Sequence, residues 1–319
     1  MTQFNRTPPQ SSISDLSGLL NLDKPIGVTS RDVVDRVSRP LRKVKVGHAG
    51  TLDPLASGVL VLCVGSATRL IEYVQQMPKT YVATIRLGAT SDTLDADGQV
   101  VEMIAPPIPS EQEVRSALLT QVGTIQQLPP QFSALKVGGK RAYDLARAGE
   151  TVELKARAIE VYQIELLEYQ WPNLKLQIDC GSGTYIRSIA RDIGEILGCG
   201  GLIAVLTRTR IGPFLQADGI DPETLTLETI PGLLRPAIEA VAALPRVILS
   251  VEERERITRG QTIEARDSMT LGEVALIGPT QELVAIADVD TVFRKIAPKR
   301  LLVAAMAGKI LSLPDSPAN

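Results

Sequence analysis

The chain predicts an α+β protein: a mixed sheet with flanking helices, followed by a small β-rich unit. Three observations carry this expectation. Strand-like runs and amphipathic helical stretches alternate irregularly, without the even βαβ rhythm of a doubly wound sheet. Within KTYVATIRLG, residues 79–88, Tyr81, Ala83, Ile85 and Leu87 alternate onto one strand face. Near Leu244-Pro245 the pattern changes to short β-type runs parted by turns.

Each element follows in order. LLNLDKP (19–25) is an apolar run that ends in a Pro-Ile-Gly turn. Ser30 is placed to cap a helix, because Val33, Val34, Val37 and Leu41 recur at helical spacing. VLVLCVG (59–65) is continuously apolar and short enough for a buried strand. A helix is expected over 67–76, then the alternating strand 79–88 and a polar loop, TSDTLDADGQ. Ser110 with Glu113 forms the pattern of a capping box for a helix over 110–121. LPPQFSALKVGGKRA (128–142) reads as a Pro- and Gly-punctuated connector, and AYDLARAG as a short helix stopped by Gly149. Leu174, Leu176, Ile178 and Cys180 alternate as a strand. Ile186, Ile189, Ala190, Ile193, Ile196 and Leu197 form an amphipathic helix ending at Gly198. Residues 245–310 give four β-type runs (VILSV, EVALIG, ELVAIADVD, RLLVAAM) and one helix, 251–259. The expected organisation is a flexible tail over 1–16, a main domain over 17–243, a small domain over 244–310 and a tail over 311–319.

Composition bounds the function. The chain has 319 residues, 44% hydrophobic and 22% charged, which fits an ordinary globular protein. No apolar run reaches the roughly 18 residues of a membrane span, and the polar N-terminus lacks the apolar core of a signal peptide. The three cysteines are scattered, without a Cys-x-x-Cys or Cys/His cluster, so neither a zinc site nor a disulfide framework is expected and a reducing cytoplasm fits. Net charge is −2, yet residues 31–50 hold six basic side chains against two acidic ones, and 133–147 hold four against one. Such patches suffice to track phosphates, although a solvated helix face has the same composition. No Walker loop, dinucleotide fingerprint or complete calcium loop occurs, and TSDTLDADGQ reads as a polar turn.

The chemistry concentrates in GHAGTLDPLASG (47–58). It contains the single histidine, His48, and Asp53 directly before Pro54. A lone turn aspartate ordinarily makes an Asx-turn or a helix cap. Here small residues on both sides let another molecule approach the backbone, and Pro54 restricts the chain just after the acid.

This stretch resembles the signature of the TruB-type pseudouridine synthases, bacterial enzymes acting on the T loop of tRNA. Four further blocks appear in that family's order. They are GLLNLDKPIGVTS (18–30), KTYVATIRLGATSDTLDADG (79–98), QLPPQFSALKVGGKRAYDLARAG (127–149) and CGSGTYIRSIARDIGEILGCG (180–200). The resemblance covers nearly all of residues 18–212. It implies the pseudouridine synthase fold, a mixed, mainly antiparallel central sheet with flanking helices. Through IAPKRLLVA it also implies a PUA-like RNA-binding domain at the C-terminal end.

By that resemblance Asp53 is the catalytic aspartate, Arg187 its cationic partner, and Tyr81 the ring that stacks on the target uracil and helps take the C5 proton. His48 is the wedge that fills the stack when the nucleotide flips out, since chemistry on a base requires its extrusion. Lys24, Lys136 and Arg141 contact phosphates or support the pocket. The implied partner is the T arm of tRNA, with position 55 as target. No cofactor, metal, membrane or protein partner is implied, and a monomer is expected. The implied reaction breaks the C1′–N1 bond, turns the uracil and joins C5 to C1′. Asp53 could attack C1′, attack uracil C6 or remove the 2′ proton, and the family favours the last, through a glycal. Two other readings remain open on the sequence: an RNA chaperone without chemistry, which could also accompany catalysis, and a glycosidic hydrolase pairing Asp53 with Asp95 or Asp97.

Overall fold

The computed structural model describes residues 16–132, 136–137, 140–141, 154–266 and 269–303. Residues 1–15 of the expected tail over 1–16, the tail over 311–319, the helix over 142–149 and the end of the small domain at 304–310 lie outside them.

A nine-stranded sheet organises residues 18–215. In chain order its strands, with two small satellite ladders, are β1 (Gly18–Lys24), β2 (Val46–His48), β3 (Ala56–Val64), β4 (Lys79–Leu87), β5 (Ala89–Ser91), β6 (Val100–Glu102), β7 (Gly123–Gln127), β8 (Lys136–Val137), β9 (Lys140–Arg141), β10 (Arg157–Gln170), β11 (Asn173–Cys180), β12 (Gly201–Ile211) and β13 (Phe214–Leu215). The sheet order is β1-β3-β12-β4-β11-β10-β7, with β2 on β3 and β13 on β12. Every described pairing in it is antiparallel except β12 with β3, which run parallel over three residue pairs. The sheet is therefore mixed and mainly antiparallel.

The strand patterns follow from what covers each face. β3 is buried on both sides: Val59, Val61 and Cys63 enter one cluster while Leu60, Leu62 and Val64 enter another, so its apolar run is unbroken. It begins at Ala56, three residues before that run. β4 and β11 turn Tyr81, Ala83, Ile85, Leu87, Leu174, Leu176 and Ile178 into a third cluster under the helices Glu111–Leu119 and Ile186–Ile196. The capping box of Ser110 with Glu113 is present. The three free cysteines are buried, and burial pushes the Cys63 thiol up to about 12 and Cys180 to about 11.

Three details differ from expectation. Thr29, not Ser30, caps the helix Ser30–Leu41, in a capping box with Asp32; Ser30 is engaged elsewhere. The 67–76 helix is a 3-10 segment (Gly65–Leu70) running into one α-helix, Ile71–Gln76. The 128–142 connector contains a two-stranded ladder, β8 with β9, which places Lys136 opposite Arg141. Strands β7, β10 and β12 are additional to the sequence reading.

The C-terminal part forms its own five-stranded sheet. It comprises β14 (Arg246–Ile248), β15 (Ile263–Glu264), β16 (Gly272–Ile277), β17 (Leu283–Asp290) and β18 (Lys295–Leu301), in the order β14-β16-β17-β18-β15. The helix Val251–Thr258 crosses between β14 and β15, with Ser250 and Glu253 as its capping box. One sheet face has a separate core. Ala275, Ile277, Leu283 and Ile286 on the other pack with Leu70 and Val74 of the first sheet's 3-10/α segment. A polar seam reinforces the contact: Arg300 pairs with Glu72 at 2.7 Å and covers the Tyr73 ring, and the Tyr73 hydroxyl donates to Glu273. This seam matters for the site because Glu72, Gln75 and Gln76 also line the main cleft. Among the described residues no helix is long and apolar enough to cross a membrane.

Candidate active site

The loop bearing Asp53 hangs between β2 and β3 and is held by bonds from distant parts of the chain. Ser30, fully covered, exchanges two hydrogen bonds with Leu52: its Oγ accepts from the Leu52 N–H at 2.8 Å and donates to the Leu52 carbonyl at 3.0 Å. The Gly27 N–H donates to the Pro54 carbonyl at 2.8 Å. Lys24 has no exposed surface, and its ammonium donates to the carbonyls of Pro25 and Val28 at 2.9 and 2.7 Å, with Pro54 at 3.5 Å. Opposite these, the buried Arg208 donates to the Val59 and Gly50 carbonyls at 2.8 and 3.1 Å. The loop is a fixed platform for its carboxylate.

Arg187 meets that carboxylate. It sits in the first turn of the helix Ile186–Ile196, where a cation opposes the helix dipole. Two carboxylates offset this: Nε lies 3.0 Å from Asp53 Oδ2 and Nη1 lies 3.3 Å from Asp95 Oδ2. The Nε contact is one of charge, not an aligned hydrogen bond. Nη1 and Nη2 also donate to the Thr93 and Phe132 carbonyls at 2.8 and 2.9 Å, so the guanidinium has little freedom. The Asp53 side chain lines the cleft and is 37% exposed, against 7% for Arg187 and 7% for Asp95. Burial is the largest influence on Asp53 and raises its carboxyl above the ordinary range; Arg187 and Lys24 oppose the rise and Asp95 adds to it. The TSDTLDADGQ loop is thus more than a polar turn. It delivers Asp95 to Arg187, with Thr93 Oγ1 and the Asp97 N–H donating to the same Asp95 carboxylate.

The cleft above Asp53 encloses about 1000 Å³, at the upper end of the roughly 300–1,000 Å³ usual for ligand sites. Tyr81 lies in its wall, 7% exposed, paired in register with Arg208 across β4 and β12. Burial raises the Tyr81 phenol and the Arg208 charge opposes that rise. Lys79, two residues before Tyr81, is also buried, and donates to the Gln75 and Met77 carbonyls at 2.6 Å each. Burial lowers both Lys24 and Lys79 to about 8. Tyr185 faces the cleft with Arg157 5.1 Å from its ring centroid. Its backbone is clasped by the amide of the fully buried Gln127, which accepts from the Tyr185 N–H at 2.9 Å and donates to its carbonyl at 3.1 Å. The cleft is lined by Lys79, Arg187 and Arg208 together with Asp53 and Asp95, and Lys24 lies behind the loop near enough to oppose the rise in the Asp53 carboxyl, so buried cations offset the buried acids.

The structure therefore brings together Asp53, Tyr81 and Arg187, with His48 also in the cleft lining at the end of β2. Lys24, expected to contact phosphates or to support the pocket, is placed for the second: with no exposed surface it cannot reach a phosphate, and its ammonium holds the loop. Lys136 and Arg141 are described only as backbone of β8 and β9. On the 31–50 segment, Arg31 and Arg36 are paired with Asp35 and Glu223, leaving Arg39, Arg42, Lys43 and Lys45 exposed. Sequence reasoning missed Arg208, Lys79, Tyr185 and Gln127. Gln127 and Tyr185 stand inside blocks already singled out, whereas no local signal marks Arg208 as interior. A hydrolase pairing of Asp53 with Asp95 does not fit, because both carboxylates engage one guanidinium instead of facing each other across a substrate. Among the described residues no His, Cys, Asp and Glu group is arranged to hold a metal ion.

Comparison with known proteins bears on this site. The TruB family pseudouridylate synthase N-terminal domain matches residues 38–186, and the tRNA pseudouridylate synthase B C-terminal domain matches 187–254. A tRNA pseudouridine synthase B from Xanthomonas euvesicatoria pv. vesicatoria is 40% identical, over 92% of this chain and 96% of its own. One from Trichormus variabilis is 42% identical, over 86% and 96%. Among solved structures, a chain of a Cbf5-Nop10-Gar1 complex superposes with a TM-score of 0.69 at 27% identity, covering 90% of this chain and 85% of that one.

Proposed function

From the premise that this chain belongs to the TruB family of pseudouridylate synthases, and so is an isomerase converting uridine to pseudouridine in tRNA, we propose that its target is the T-loop uridine at position 55 and that Asp53 performs the central step. The observation that carries the second part is the Asp53–Arg187–Asp95 chain at the floor of a nucleotide-sized cleft.

The proposed mechanism uses these groups in turn. The T-arm nucleotide is flipped into the cleft, and His48 fills the space it leaves in the stack. The uracil stacks on Tyr81, worth about 1–3 kcal/mol. Asp53 removes the 2′ proton as the C1′–N1 bond breaks, leaving a glycal and a uracil anion. Its burial supports the role of base over nucleophile, because a raised carboxyl accepts a proton more readily. Arg187 keeps enough of Asp53 ionised to begin. After the uracil turns, C5 bonds to C1′ and the proton returns to C2′. The C5 proton then leaves toward Tyr81 while N1 gains one, so no atoms are exchanged overall. Exposed cations at Arg39, Arg42, Lys43 and Lys45 would track the tRNA backbone, with Lys136 and Arg141 on the β8–β9 ladder as further contacts. A PUA-like C-terminal sheet would extend that surface. The protein is expected to act as a monomer in a reducing cytoplasm, where its three thiols stay free.

The test is tritium release from 5-labelled uridine in a tRNA transcript. Asp53→Asn should abolish release while binding tRNA normally, and any tRNA-folding assistance should survive in that variant. Near-normal release by Asp53→Asn would sink the mechanism. Persistence of uridine at position 55 after treatment with wild-type protein would sink the site assignment.

A further inference from the structure

Arg208 is the largest fully buried side chain of the described residues, 1% exposed, and among them no carboxylate lies within 4 Å of it. A guanidinium does not lose its proton in a protein, and burying such a charge without a counter-ion is costly. Its position accounts for this expense. Backbone pairing sets Arg208 between Gly58 of β3 and Tyr81 of β4. The side chain turns beneath the Asp53 loop and grips it at both ends: Nε donates to the Val59 carbonyl at 2.8 Å, Nη2 to Gly50 at 3.1 Å, and Nη1 lies 3.5 Å from the Thr51 carbonyl. The approach is close enough to require glycine at 58. Its φ is +101°, and a Cβ there would lie 2.2 Å from the Arg208 carbonyl oxygen.

We propose that Arg208 is a positioning residue: its planar fork cinches residues 50–59 against β12 and so fixes where the Asp53 carboxylate stands relative to Arg187 and the ribose. It exchanges no proton with the nucleotide, although its guanidinium also reaches the Tyr81 phenol. The inference rests on the assignment of Asp53 made above. Ser30 and Lys24 hold the middle and far side of the same loop, the Ala49 N–H closes its base on the Val61 carbonyl, and Arg208 joins its two ends through a side chain. Lysine cannot replace it, because a point ammonium on a flexible stem does not reproduce a rigid fork of diverging donors.

The experiment compares wild type, Arg208→Lys and Asp53→Asn in single-turnover tritium release across pH, with tRNA affinity and thermal unfolding measured alongside. Arg208→Lys keeps the charge and loses the span. Its rate constant should fall at least about 30-fold while tRNA affinity stays within about threefold. The acid limb of its pH–rate profile should also move to lower pH, because a slack loop admits water and relieves the burial that raises Asp53. A role confined to folding would lower the amplitude without moving that limb. A rate within about threefold of wild type, or a slow rate with an unmoved limb, overturns the proposal. Should Arg208→Lys not fold, Arg208→Gln takes its place, and failure of both to fold also overturns it in favour of a purely structural role. Activity retained by Asp53→Asn removes the assignment of Asp53 and this inference together. An inactive Asp53→Asn beside a normal Arg208→Lys removes this inference alone.

Discussion

Replacing Arg187 with methionine removes the one cation among the described residues that pairs with Asp53, while keeping a long side chain. Unit charges 3.0 Å apart attract by on the order of 5 kcal/mol at an effective dielectric constant near 20. Asp53 is 37% exposed toward the cleft, so solvent screening cuts this to about 2–3 kcal/mol. At about 1.4 kcal/mol per factor of ten, the ionised carboxylate loses roughly 30- to 150-fold in relative stability. Arg187 lowers the Asp53 carboxyl, so without it burial and Asp95 act with only Lys24 in opposition and the carboxyl rises further. The variant should be slower by that factor at neutral pH in single-turnover tritium release, and should recover part of the loss as the pH is raised to about 9. Its tRNA affinity should change little, since the guanidinium is 7% exposed. A loss below about threefold, or a deficit unchanged at high pH, would refute the reasoning. In the second case Arg187 would act by shape and not by charge.

Three other outcomes follow from the same geometry. Burial holds the folded-state carboxyl of Asp53 above its unfolded value, so its contribution to stability is present below the unfolded pKa of about 3.9 and is lost as the pH rises through the folded pKa; Asp53→Asn should therefore gain in melting temperature relative to wild type between pH 4 and neutrality, and a relative loss over that range contradicts the sign. Gly58→Ala would force a Cβ to 2.2 Å from the Arg208 carbonyl oxygen at φ +101°; a cost of at least about 2 kcal/mol should lower the melting temperature by about 4 °C or more, and an unchanged calorimetric transition would show that β3 and β12 can separate freely. The Glu72–Arg300 pair is 60% and 26% exposed, so a double-mutant cycle by urea unfolding should give a coupling of about 0.5 kcal/mol; a value above about 2 kcal/mol would mean that the seam, and not the apolar contact beneath it, holds the two sheets together.

The parts of the fold legible in the sequence are those whose periodicity reports burial faithfully. β4 could be read because Tyr81, Ala83, Ile85 and Leu87 face one core, and β3 because both of its faces are covered. β12 could not. Leu206 and Arg208 share its inward face, so the usual rule turns a charged residue to solvent where the structure buries it. The same inversion hid the roles of Lys24 and Lys79. Each looks like a surface cation in the sequence, and each spends its donors on backbone carbonyls beneath the cleft. Ser30 departs from its local pattern for a related reason: a hydroxyl at a helix start suggests a local cap, whereas its bonds run to Leu52, twenty-two residues away.

These departures share one location. Interior cations that break the hydrophobic pattern gather under the Asp53 loop, where violations of local rules are expected of a functional site. They also resolve the mismatch between a polyanionic substrate and a chain of net charge −2. Much of the surface charge is neutralised in pairs such as Arg31–Asp35 and Arg36–Glu223. Lys79, Arg187 and Arg208 lie buried in the cleft lining with Lys24 behind the Asp53 loop, where low dielectric strengthens every charge. The composition-level tally counts each of these cations as one among thirty-four; their burial gives them a disproportionate share of the field that a flipped nucleotide would meet.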